Sequence, residues 1–134
     1  MKEIHRLEEM ARLGNFDDYE VMVYEGEGTI PHFHFRNLQN GKQGCIKLLT
    51  NEYFFHGQYT DTLNSKERKL LVKFLKSEPK KQYQKIFAEG LTNFDVLCLL
   101  WDMNNDDEIS LNDIKMPNYL DMWMENDIDS FFLK

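Results

Sequence analysis

An α+β fold follows from three features of the sequence: a change of hydrophobic period part-way along the chain, turn signals that punctuate the first half, and two helix-capping signatures in the second. From Tyr19 to Leu49 apolar and polar residues tend to alternate, which suits strands, whereas from Asn64 to Trp101 the apolar residues recur every three or four positions, which suits helices. The expectation is an N-terminal helix, a small mainly antiparallel sheet of three or four strands, two or three helices packed on one face, and an apolar and acidic C-terminal tail.

The elements follow in order. Ile4, Leu7 and Ala11 fall at helical spacing between Lys2 and Leu13, and Gly14 is a natural stop, so the spacing predicts a short amphipathic helix. Tyr19 to Tyr24 alternates, with Tyr19, Val21 and Val23 on one side, and predicts a strand ended at Gly26. Ile30 to Arg36 predicts a second strand, with Pro31 favouring an extended start. Asn40-Gly41 suits a tight hairpin turn into a third strand, Gln43 to Leu49, and Glu52 to His56 predicts a short fourth strand closed by Gly57. Asn64 and Glu67 form a capping box for a helix bearing Leu70, Leu71, Phe74 and Leu75, which stops before Pro79. Lys81 to Glu89 reads as a helix ended by Gly90, and Thr92 with Asp95 caps another that buries Phe94, Leu97, Leu100 and Trp101.

With 134 residues, 42% hydrophobic and 13% aromatic, the chain suits a single domain over residues 1–134, with its core at about 16–104 and an acidic loop and tail over 105–134. Met116, Tyr119, Leu120, Met122, Trp123 and Met124 make that tail too apolar for a plain disordered segment, so it is expected to pack on the domain or on a partner. Its longest apolar runs, such as Val96 to Trp101, are too short for a bilayer span, and Met1 to Leu13 has no leader pattern, so the expected location is cytoplasmic, with no membrane partner. Cys45 and Cys98 are widely separated and lack Cys-x-x-Cys spacing, which favours buried free thiols over a disulfide or a zinc site.

The formal charge of −7 opposes general binding to a polyanion, yet the charge is polarised. Lys66 to Lys85 holds eight basic residues against Glu67 and Glu78, while Trp101 to Lys134 holds nine acids against Lys115 and Lys134. The basic run is either the wet face of an amphipathic helix, a contact for RNA or DNA phosphates, or the counterpart of the acidic tail within one chain or between two copies. A protein partner or self-association accounts most simply for this polarity.

His32 and His34 are two apart on a predicted strand, so both imidazoles leave the same face in line with Arg36, while Phe33 and Phe35 face the other way. Such a pair suits two ligands of a transition metal, or a general acid and base at a phosphodiester with Arg36 on the phosphate. A metal needs further ligands, which His56, Glu52 or Asp61 could supply if the fourth strand lay beside the second. Otherwise the two histidines simply occupy a half-solvated sheet face.

Pro31-His32-Phe33-His34, with the helices at Asn64 to Lys76 and Phe94 to Trp101, resembles a family of small uncharacterised bacterial and phage domains built on a Pro-His-x-His strand. The resemblance spans roughly Tyr19 to Asn104. It implies a small regulatory or inhibitory protein of the phage-host or toxin-antitoxin type, without an assigned activity. Thr29-Ile30 replaces the asparagine and histidine that commonly precede the proline, so a role for that upstream histidine does not carry over.

Residues 102–113 resemble a calcium loop of the EF-hand or dockerin type, with oxygens from Asp102, Asn104, Asp106, the Glu108 carbonyl, Ser110 and Asp113. Asp107 stands where glycine makes the sharp turn, Asp113 replaces the bidentate glutamate, and no second loop accompanies it. An acidic connection that merely ends a helix is the competing reading. Two functions therefore stand side by side: a small binding or regulatory protein acting through surface contacts and holding a metal ion, calcium or a transition metal, and a small nuclease using His32, His34 and Arg36.

Overall fold

The computed structural model describes residues 10–26, 30–50 and 52–105. Four antiparallel strands form a meander in the order β1 (Met10–Phe16), β2 (Tyr19–Tyr24), β3 (His32–Asn37), β4 (Gln43–Lys47), followed by α1 (Ser65–Leu75), α2 (Lys81–Ile86) and α3 (Asn93–Asn104). The expected α+β class, with a small antiparallel sheet followed by helices, is the one observed. No helix among the described residues is long and apolar enough to cross a membrane.

The N-terminal helix is corrected over its last turn. Met10–Leu13 belongs to β1, while Lys2–Glu9 and the tail after Asn105 lie outside the described residues. Ala11 and Leu13 alternate with the exposed Arg12, a period of two that the helical spacing of Ile4, Leu7 and Ala11 masks. Pairing with β2 supplies partners on both sides of Leu13, and the register shift between Arg12 and Gly14 makes Leu13 the bulged, buried residue. Gly14 ends no helix there: a Cβ on it would come within 3.0 Å of the Phe74 ring, so its missing side chain lets α1 approach the sheet.

One sheet face carries Val21, Val23, Phe33, Phe35 and Ile46 into a core completed by Leu71, Leu75, Phe94, Leu97 and Trp101. α3 lies against β1, β2 and β3, and α1 lies against β1. Both predicted capping boxes form: Asn64 with Glu67 starts α1, and Thr92 with Asp95 starts α3. α2 is shorter than expected, ending at Ile86, and Gly90 takes a positive φ of 89° before α3. The buried Asn93 side chain donates to the Phe74 carbonyl at 2.9 Å and so ties the start of α3 to the end of α1.

Glu67 also binds the sheet. Its carboxylate accepts from the Tyr19 hydroxyl at 2.8 Å and from Lys42 at 3.2 Å. Burial pushes its carboxyl up, but hydrogen bonds from the Asn64 backbone, Tyr19 and Lys42 outweigh that and hold it below the usual glutamate value.

The β3–β4 turn departs from the tight form expected of Asn40-Gly41. Only Gly41 has positive φ, at 79°; Asn37 Oδ1 accepts from the backbone of Gln39 and Asn40, and Gly41 N–H donates to the Asn37 carbonyl at 2.9 Å. Residues 38–42 thus form a longer turn organised by Asn37. Among the described residues no fourth ladder forms: Tyr53 makes one isolated bridge to Ile46, and the segment runs beside β4, not beside β3. Beyond that bridge His56 and Tyr59 close on each other around Gly57, whose φ is +56°.

Two outcomes test this packing. A Cβ on Gly44 would overlap the Asp61 carbonyl oxygen and lie 2.6 Å from the Phe35 ring. Gly44→Ala is therefore expected to cost about 1–3 kcal/mol in urea denaturation. A carboxyl depressed on folding stabilises above its unfolded value, about 4.3, and that contribution is lost as pH falls through the folded value. Glu67→Gln is thus expected to cost about 1–2 kcal/mol near neutral pH, with the difference from the wild type shrinking in acid.

Candidate metal centre

The sheet face opposite the core carries the site. Antiparallel register places His34 between Met22 on β2 and Cys45 on β4, with His32 two residues along β3 opposite Lys47. Because Tyr53 bridges to Ile46, its neighbours Phe54 and His56 fall on the side of Cys45. Phe54 N–H donates to the Cys45 carbonyl at 3.0 Å and Lys47 N–H to the Glu52 carbonyl at 2.8 Å, which holds the segment along the β4 edge. His56 is thereby brought over the sheet to the two strand histidines.

His32, His34, Cys45 and His56 form one cluster, and one ligand atom from each lies within 4.8 Å of all the others. Cys45 Sγ is 3.2 Å from His34 Nδ1 and 3.3 Å from His56 Nε2. The ring centroids of His32 and His34 are 5.2 Å apart, and those of His32 and His56 are 5.3 Å apart. His32 Nδ1 lies 2.7 Å from the Ile30 carbonyl oxygen; a carbonyl only accepts, so Nδ1 is the donor there and Nε2 is the nitrogen that a neutral ring would offer to a metal. A backbone carbonyl holding the remote nitrogen in this way is the usual support for a metal-binding imidazole.

An aromatic wall encloses the cluster. Tyr59 and Tyr24 meet His34 edge-on at 4.4 and 4.5 Å, Phe54 lies 4.8 Å from His32, and Trp101, which also completes the core, comes within 5.2 Å of His32 at the start of β3. His32 and His34 are each 1% exposed and Cys45 is fully buried. The half-solvated face expected for the two histidines is corrected: the loop after β4 covers it, and the imidazoles face one another and a thiol.

The other expected site residues are distributed elsewhere. Arg36 shares the histidine face, but its Nη2 lies 3.5 Å from Glu20 Oε1, while Arg12 Nε holds the second oxygen of that carboxylate at 2.9 Å. Glu52 pairs with Lys47 at 3.7 Å, and Asp61 accepts from the Gln43 backbone at 2.9 Å, so neither joins the cluster. Asp102 and Asn104 lie in the last turn of α3, with Asn104 buried; Asp106, Glu108, Ser110 and Asp113 lie outside the described residues.

Cys45 is the member that sequence reading missed. Its spacing from Cys98 gives no signal for it; what brings this ligand type to the site is its position in the hairpin, directly opposite His34. Cys98, in contrast, is a buried thiol within α3, which burial and then the charges of Asp95 and Asp102 push up to about 12. Comparison with protein-family models, with characterised proteins and with solved structures returned no match.

Cys98 is accordingly expected to resist alkylation in the folded protein near neutral pH and to react once denaturant exposes it, as mass spectrometry of the modified peptides would show. Modification of Cys98 at the same rate with and without denaturant would contradict its placement in the core.

Proposed function

We propose that this chain is a small metal-binding protein of the binding or regulatory kind, in which His32, His34, Cys45 and His56 hold one transition-metal ion, with Zn²⁺ the best match. The observation that carries this reading is the convergence of three imidazoles and one thiol within 4.8 Å of one another, with His32, His34 and Cys45 buried and His56 half-buried. A tetrahedral zinc site needs donor separations of about 3.3–3.7 Å, given bond lengths near 2.0–2.3 Å. Small side-chain rotations would draw the cluster to that size. One thiolate with three imidazoles favours zinc, cobalt or copper over calcium or magnesium, which take oxygen ligands.

Four protein ligands leave no position for a water or substrate, as in structural zinc sites. The ion would add a side-chain tie among β3, β4 and the loop after β4, on top of the backbone hydrogen bonds that already pair the strands and hold the loop along the β4 edge. In water the unfolded chain could not offer this arrangement, so binding energy would be folding energy. Surfaces that depend on that loop would then be most ordered in the loaded protein, which suits a binding or regulatory role. The nuclease reading draws no support from this geometry, since His32 and His34 are enclosed and Arg36 is engaged by Glu20.

Metal-stripped protein titrated with Zn²⁺ should take up one ion per chain, and its melting temperature should rise, with stabilisation of about 2.7 kcal/mol once free zinc reaches a hundredfold excess over Kd. Co²⁺ should give a tetrahedral visible spectrum with a thiolate charge-transfer band that Cys45→Ser removes. His56→Ala should weaken uptake by at least about tenfold. No uptake at micromolar zinc, or Co²⁺ spectra unchanged by Cys45→Ser, would refute the assignment.

A further inference from the structure

The segment that delivers His56 also builds a second surface. Tyr53 and Phe55 alternate with Phe54 and His56 along the extended stretch, and their rings stack with centroids 5.7 Å apart and planes 10° from parallel. Tyr53 is fixed from behind: its hydroxyl accepts from the Leu63 backbone at 3.0 Å and from Arg68 Nε at 3.1 Å, and the Arg68 guanidinium lies 5.1 Å from its ring centre. Phe55 is 55% exposed, a large apolar ring held in solvent on a rigid support.

Arg68 belongs to α1, whose exposed side carries Lys66, Lys69, Lys73 and the capping Lys76 at spacings that bring them into one stripe. The stripe runs about 15 Å along the helix. Glu67, the one acid of α1, points instead to Tyr19 and Lys42. Lys66, Lys69 and Lys73 make no ion pair among the described residues. The aromatic platform rests on Arg68, one residue before Lys69, so it lies within about a helix diameter of this row of lysines.

We propose that Phe55, backed by Tyr53 and Arg68, stacks on an unpaired base, while Lys66, Lys69 and Lys73 follow the phosphates of a single-stranded nucleic acid. An acidic peptide would use the lysines and leave Phe55 idle. A duplex would offer phosphates but no base face. Only a single strand presents both a flat π-surface and a repeating negative charge. None of these residues is a ligand of the cluster, but Tyr53 and Phe55 lie on the segment that carries His56, so the platform rests on the metal reading for its order and is tested on the zinc-loaded chain.

The test is fluorescence anisotropy on the full, zinc-supplemented chain at low salt, with labelled oligouridylate and oligothymidylate of about ten nucleotides and a blunt duplex of the same length. Both single strands are expected to bind, the duplex at least about tenfold more weakly, and a preference between the two would identify the polymer as RNA or DNA. Phe55→Ala should weaken binding about five- to a hundredfold, the effect of one lost base stack, and Phe55→Trp should retain it. Lys69→Ala/Lys73→Ala should reduce the salt slope by about 1.4. Circular dichroism shows whether each variant keeps its fold, which the exposure of all three positions favours. The proposal is overturned by absent binding at micromolar protein, by equal binding of duplex and single strand, or by a folded Phe55→Ala that binds as the wild type does.

Discussion

The register between β3 and β4 governs the chemistry of this protein. A two-residue turn at Asn40-Gly41 would set Lys47 opposite His34, whereas the longer turn organised by the Asn37 side chain sets Cys45 there. Side chains on adjacent strands meet only where the ladder puts them opposite, so that displacement exchanges an ammonium for a thiol at the centre of the histidine face. One carboxamide oxygen, accepting two backbone N–H groups, thereby decides which groups surround the imidazoles.

The same sheet serves two purposes because strand side chains alternate. Phe33 and Phe35 feed the core beneath α1 and α3, and His32 and His34, interleaved with them, form the opposite face. That face stays dry because the segment after β4 follows its edge and folds back at Gly57, laying Phe54, His56 and Tyr59 over it. The two buried imidazoles and the buried thiol lose their contact with water, while His56 stays half-buried, and hydrogen bonding within the cluster or binding of a cation would offset that loss. Alternation acts again in the covering segment, where Phe54 and His56 face the cluster and Tyr53 and Phe55 do not.

Local signals were legible wherever a feature depends on residues close in sequence. The two capping boxes need only four consecutive residues each, and both form as the sequence suggests. His32 and His34 share a face because a strand has a period of two. The stretch before Gly14 misled for the opposite reason: Ile4, Leu7 and Ala11 fit a helix, while the strand at Met10–Phe16 owes its form to hydrogen bonds with β2. His56 could be named as a ligand candidate, but its route to the site beside β4 could not, because a single bridge replaces the expected ladder.

From its residues alone this chain determined an α+β layout, the starts of its two longer helices and a histidine pair on one face of a strand, all set by short-range periodicity and capping. Tertiary structure alone decided that Cys45 joins the pair, that a covering loop adds His56 and excludes water, and that Arg36 is taken by Glu20. These outcomes depend on the length of one turn and the path of one loop. Both are fixed by contacts between residues distant in sequence, whose energies no local pattern encodes.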